Sequence, residues 1–311
     1  MNYFSIVSQQ IIIFVIYALI GVIAVKAKVL SKEGLEWVSR LVIKILLPLM
    51  IFTNTINGAT RSDFLAALPL LIGTAILYLL LYLVSFALRS LSGLKGNERN
   101  TYQACTMFGN VGFMGIPLIA ALLPEKGMLY VALFTVVDQL VLWTIGLALC
   151  LPVEGGKRLS PKQVGLKMIN PNTVGIILAT LVILLEIPFP SLLNTALTKT
   201  GAAASPLAML YLGGLFCSVD FKNVFKHKEY YLTIAAKMVI FPLIFIRLIS
   251  LMPGITSEMA LVLAIIAATP TMSSVAMLVK AQGSAGEYAA GMVFVTTLFS
   301  VLTIPLVCLL I

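Results

Sequence analysis

The chain has 311 residues, of which 60% are hydrophobic and only 11% charged, with a formal net charge of +9 and a mean hydropathy of +1.06. A soluble domain carries roughly 25% charged residues and about 45–50% apolar ones, so too few charges remain here to cover a water-facing surface. A water-soluble enzyme, a disordered chain and a disulfide scaffold are excluded, and the solvent for most of this protein is lipid. Four cysteines (Cys105, Cys150, Cys217, Cys308) form no CxxC pair and His227 is the single histidine, so no metal, cofactor or redox pair is expected.

A bilayer core about 30 Å thick needs roughly 20 apolar residues per helix. That length predicts an all-α integral membrane protein with ten spans, at about 5–25, 36–56, 65–89, 101–122, 128–151, 170–187, 196–219, 230–251, 257–280 and 286–310. No basic residue precedes span 1, the first being Lys26, so it is expected to be a true span and not a cleavable signal. In span 2, Glu36, Arg40 and Lys44 share one face near an interface, where the basic pair can bridge to the glutamate or snorkel. Further along, Thr53, Asn54 and Thr55 either line a path or hydrogen-bond to neighbouring helices.

Span 4 reads CTMFGNVGFMGIPLIAAL, with Gly109, Asn110, Gly112 and Gly115 before Pro117. Span 9 reads AIIAATPTMSSVAMLVKA, with Pro270 flanked by Thr269, Thr271, Ser273 and Ser274. Proline removes a backbone donor and glycine weakens a helix, so both spans are expected to break where polar side chains stand by. Span 5 holds Asp138, the one acidic residue deep in a span. An intramembrane carboxylate is costly and a functional candidate by default. Three readings stay open for it: it carries a coupling proton, helps ligate sodium, or pairs with Lys237 of span 8. Lys237 in turn either faces the breaks, where it can neutralise a carboxylate, or snorkels to the membrane surface. In span 10, Thr296, Thr297 and Ser300 carry the same ambiguity as the polar group of span 2.

The positive charges alternate. Lys26, Lys28, Lys32, Arg89, Lys95, Arg99, Lys157, Arg158, Lys162, Lys167, Lys222, Lys226, Lys228 and Lys280 fall in every other connection, and only Arg61, Lys126 and Lys199 in the rest. By the positive-inside rule both termini are expected outside the cytoplasm, in a plasma membrane. The basicity is thus a topology signal and implies no nucleic acid. The long basic connection PVEGGKRLSPKQVGLKMI separates two five-span halves, 1–152 and 170–311, with 153–169 as a cytoplasmic linker. An odd number of spans per half makes the second half an inverted repeat of the first. Pro48 and Pro206, and Pro117 and Pro270, are expected to correspond. Inverted repeats with broken helices are the mark of secondary transporters, with the substrate at the midplane. The half-helices after the breaks would bring two positive dipole ends together, and that favours an anion.

FGNVGFMGIPL, PLAMLYLGGLF, ATPTMSSVAMLVKAQG and FVTTLFSVLTIPL, with DQLVLW and AKMVIFPL, resemble the auxin efflux carrier family. That family includes plant PIN-type auxin exporters and bacterial permeases assigned to malate or malonate. The resemblance implies that broken helices 4 and 9 cross, that helices 1, 2, 6 and 7 form a scaffold, and that helices 3–5 and 8–10 form a mobile transport domain working as an elevator. It also implies roles for Gln139 in span 5 and Lys237 in span 8. A homodimer follows only by analogy with related transporters. The short central connection marks a compact bacterial-style member. Span 9 lacks the acidic sodium ligand of the related bile-acid symporter type, so a proton on Asp138, or no coupled ion at all, is favoured over sodium. The candidate substrate site is Asn110, Gly112, Gly115, Pro117, Gln139, Lys237, Thr269, Pro270, Thr271, Ser273 and Ser274. The leading reading is a secondary carrier of small organic anions. Alternatives are a proton- or sodium-coupled symporter of another organic acid and a membrane sensor on the same fold. No GxxxxGK[ST] loop supports an ATP-driven pump, and no nucleophile–base constellation supports an enzyme.

Overall fold

The computed structural model describes residues 3–58, 60–153, 162, 169–217 and 221–311. The basic residues Lys157, Arg158 and Lys167 of the expected linker lie outside them. The described residues are helical, joined by turns and short irregular links, apart from one extended bridge between Gly109 and Thr271. Among the described residues, five helices are long and apolar enough to cross a membrane: Phe4–Lys26, Arg61–Leu91, Gly127–Cys150, Lys228–Ile249 and Gly286–Leu310. Large apolar side chains stand exposed along them. On the first, Ile12, Ile16, Leu19 and Ile23 form an exposed stripe at helical spacing while Val7, Ile11 and Phe14 are buried. An apolar stripe turned outward is a lipid-facing surface.

Local chemistry sets the helix starts. Ser31 Oγ accepts from Gly34 N–H at 3.0 Å, Thr256 Oγ1 accepts from Met259 N–H, and Asn170 caps a helix whose first residue is Pro171. Each satisfies amides that a helix start leaves bare. Thr60 and Asp63 form a reciprocal capping box before Arg61–Ala66.

Four stretches widen to π-helix: Val42–Leu46, Val111–Gly115, Leu142–Gly146 and Ile234–Ile240. Three of them lie just before a proline, namely Pro48, Pro117 and Pro242. A proline cannot donate, and its ring crowds the carbonyl one turn back. A π turn inserts one residue and gives the freed carbonyls other partners. Leu47 N–H, for instance, reaches back to Val42 O. Pro206 needs no such device because it sits in the first turn of Ala204–Phe216.

The chain divides into two units. The first comprises Met1–Leu70, Gly112–Thr135 and Ile169–Ser218. Its helices meet backbone to backbone. Tyr3–Lys26 runs against Ala204–Phe216, with Gly21 on the Leu210 carbonyl and Gly213 on the Ala18 carbonyl, positions where a Cβ would overlap backbone. Gly175 likewise rests on Pro48 O and Gly201 on Met50 N. Small residues permitting such approach are the usual membrane-helix contact. Thr53 and Thr55 bond back to Leu49 O and Ile51 O of their own helix, and Thr55 also reaches the Met128 carbonyl at 3.5 Å. Glu36 and Arg40 do pair, at 3.6 Å on an exposed face.

The second unit comprises Leu71–Val111, Val136–Met168 and Val219–Ile311. Its centre is Ser257–Ala268, in which every residue from Met259 to Ala268 is buried, packed against Phe241–Ile249 and Gly286–Leu310. Both expected interruptions are present. Span 4 stops being helical at Phe108–Asn110, ahead of Pro117, which lies inside the helix Val111–Leu122 just after its π turn. In span 9 the interruption is at Thr269–Met272 and includes Pro270. Pro117 and Pro270 therefore do not occupy equivalent places. Gly109 stands opposite Thr271 instead.

Candidate functional site

At the two interruptions the chain leaves the helix and pairs with itself. Asn110 N–H donates to Pro270 O at 2.7 Å, and Met272 N–H donates to Phe108 O at 3.0 Å. Each interrupted segment thus satisfies backbone groups of the other, as a dry interior requires. Gly109 lets them approach: a Cβ there would overlap Thr269 Oγ1 and stand 3.1 Å from Ile266 O and 3.5 Å from Lys237 Nζ. Thr271 N–H donates to Thr296 Oγ1 at 3.1 Å, fixing the extended segment to Gly286–Leu310. Asn110 Nδ2 donates to Ser273 Oγ at 3.3 Å. Ser273 begins the helix Ser273–Ala281, whose first amides have no side-chain cap. The Thr271 hydroxyl is buried without a partner.

Lys237 completes this cluster. It is 1% exposed, and its ammonium donates to the Thr269 carbonyl beside Gly109. Snorkelling is ruled out for it in this arrangement. Nor does it pair with Asp138: the ion pairs among the described residues are Arg40–Glu36, Lys126–Asp63 and His227–Glu229. Asp138 is 5% exposed and has partners of its own. The Tyr78 hydroxyl donates to Oδ1, and Gln139 Nε2 donates to Oδ2 at 3.0 Å. Trp143 Nε1 donates to Gln139 Oε1 at 3.3 Å, on the π turn that follows. The Tyr78 ring lies 5.6 Å from that of Phe108, and a Cβ on Gly146 would lie 2.8 Å from the Phe108 ring. The aspartate network and the lysine therefore flank the same dipeptide, Phe108–Gly109.

Of the residues expected at the site, Asn110, Thr269, Pro270, Thr271, Ser273 and Lys237 come together here. Asp138 and Gln139 adjoin through Tyr78 and Phe108. Ser274 is half-buried in the first turn of its helix. Gly112, Gly115 and Pro117 belong to the first unit. Each interruption runs into a helix: Phe108–Asn110 into Val111–Leu122, which begins as a π turn, and Thr269–Met272 into Ser273–Ala281. The first unit's cavity of about 280 Å³, lined by Pro48, Phe52, Val174, Leu178, Phe189 and Leu197 among others, has a wholly apolar lining that offers an anion no side-chain donor.

Residues 5–308 match the family described as membrane transport protein. The chain belongs to this family. It is the assignment that the auxin-efflux-type motifs indicate, and it makes the protein a multi-pass membrane transporter and not an enzyme. This transporter is also 23% identical over 288 residues to a protein of Rhizobium meliloti (strain 1021) named "Putative malonate transporter", with 88% of this chain and 85% of that protein covered.

Two members of the candidate site escape sequence reasoning. Tyr78 sits in the run LYLLLYLV, where one tyrosine among leucines gives no sign of facing a carboxylate sixty positions away. Gly109 was legible only as one of several glycines, and the requirement for it appears once Thr269 lies against it.

Proposed function

We propose that this transporter is a secondary carrier of small organic anions, carboxylates of the malonate and malate kind, moved by alternating access. The observation that carries the reading is the crossover. An ammonium, a helix start bearing about half a positive charge and an unpartnered hydroxyl lie within one unit, around an unwound stretch of backbone. Those are donors for a carboxylate. The Rhizobium relative's name supports a substrate of this size.

In the same reading the chain crosses a plasma membrane ten times as two inverted five-helix repeats, with both termini outside. The alternation of basic connections supports the orientation, and the paired interruptions of spans 4 and 9 support the repeat. Helices 1, 2, 6 and 7 would hold still while 3–5 and 8–10 carry the site in an elevator movement, as the family resemblance implies. Both units draw on both halves of the chain, which supports domains built across a repeat.

Uptake into proteoliposomes tests the proposal, comparing malonate, malate, lactate and indole acetate. Saturation and counterflow are expected for at least one of them. Flux that rises linearly with concentration, or no carboxylate uptake by folded protein, would refute it.

A further inference from the structure

Resting on the anion reading of the crossover, we infer that the species carried is a monoanion, either a single carboxylate or a dicarboxylate that keeps one proton, and that one proton accompanies it on Asp138. Among the described residues only two formally charged side chains are buried, Asp138 and Lys237, and both belong to the second unit. Both carboxylate oxygens of Asp138 accept hydrogen bonds, one from Tyr78 and one from Gln139. That is the pattern of an ionised, acceptor-only group. Its negative charge is matched by the Lys237 ammonium, so the buried charge of the empty site sums to zero.

An arriving monoanion takes Lys237 as its counter-charge and leaves Asp138 uncompensated. A buried charge in that position is expensive unless it is neutralised. One proton moving from the open aqueous side onto the Asp138 carboxylate restores the sum: ammonium, carboxylic acid and anion. On release the proton leaves with the substrate. A dianion has no such solution, because the fully protonated pair carries a single positive charge and one negative charge remains.

Tyr78 is the one titratable group that touches the Asp138 carboxyl. The helices packed around the pair also carry Tyr82, Arg89, Glu98, Arg99, Tyr102, Cys105, Cys150 and Lys280, and near Lys237 Glu229, Tyr230, Arg247, Glu258, Glu287, Tyr288 and Cys308. None of these hydrogen-bonds or pairs with Asp138 or Lys237, so the charge count rests on the two residues.

The test uses the reconstituted full chain with malonate and its monoamide, malonamate, which is a permanent monoanion. Binding that takes up one proton should weaken malonamate affinity about tenfold per pH unit on the alkaline side. Uptake should carry no current and respond to a pH gradient but not to an imposed membrane potential. Malonate affinity, reckoned on total malonate, should fall by a further factor of about ten per pH unit where its monoanion is itself being lost. D138N should lie flat over the pH range in which the wild type weakens. Y78F, which removes a hydrogen bond from the carboxylate and no charge, should keep the slope and move its onset to higher pH. A flat wild-type profile, a current during uptake, or malonate uptake that tracks the dianion overturns the charge count and leaves the carrier reading standing. If folded wild type neither binds nor takes up either compound, the carboxylate reading falls and the charge count falls with it.

Discussion

Replacing Gly109 with alanine adds one methyl group at the tightest point of the crossover. Its carbon would overlap Thr269 Oγ1 and sit 3.1 Å from the Ile266 carbonyl. The hydroxyl cannot simply swing aside, since it already donates to that carbonyl at 2.6 Å. Relief must come from separating the two extended segments. That strains the bonds Asn110 N–Pro270 O and Met272 N–Phe108 O, each of which contributes about 0.5–1.5 kcal/mol, on top of about 1–3 kcal/mol for overpacking. The expected loss is therefore roughly 2–6 kcal/mol, with carboxylate uptake abolished or reduced at least tenfold. The assay is denaturant unfolding in detergent alongside uptake by the reconstituted variant. Gly34→Ala is the control, because a Cβ there meets only ordinary contacts at 3.5 Å. Wild-type stability and uptake in Gly109→Ala would refute the close-approach argument.

Lys237→Met removes the ammonium and leaves the Thr269 carbonyl without its donor. At about 1.5–3 kcal/mol for a charged hydrogen bond, the half-saturating carboxylate concentration should rise about 10- to 150-fold, while Lys237→Arg should retain part of the affinity. Gly213→Ala drives a methyl into the Ala18 carbonyl and should cost about 1–3 kcal/mol, read as a lower unfolding midpoint in detergent. Thr60→Ala deletes the capping box before Arg61–Ala66. It should cost about 0.5–2 kcal/mol and leave the half-saturating concentration unchanged.

The apolar runs were enough to foresee the helices, while the residues that cap several of them went unread. Ser31, Thr256 and the Asn170–Pro171 pair act within one turn of chain, so their effect can be read without tertiary knowledge. The break in span 9 was equally local, because Pro270 lies inside it. The break in span 4 was legible only as a stretch running from Gly109 to Pro117, because glycines and a proline all fall in it. Pro117 falls inside a helix that a π turn adapts to it, whereas Gly109 is required by a neighbour far along the chain. Lys237 and Asp138 stood out as charges in apolar runs. Their partners did not, since a backbone carbonyl and a tyrosine hydroxyl look the same in sequence whether they are bonded or idle. The π turns were hidden for a similar reason: three precede prolines that would equally suit a kink.

The joint at Phe108–Asn110 and Pro270–Met272 is closed by main-chain atoms. Those atoms are common to nearly all amino acids, so drift at Asn110, Thr271 or Ser273 can alter what is recognised without loosening the seam, provided Gly109 stays. A lineage built this way is free to exchange one cargo for another while inheriting an unchanged latch.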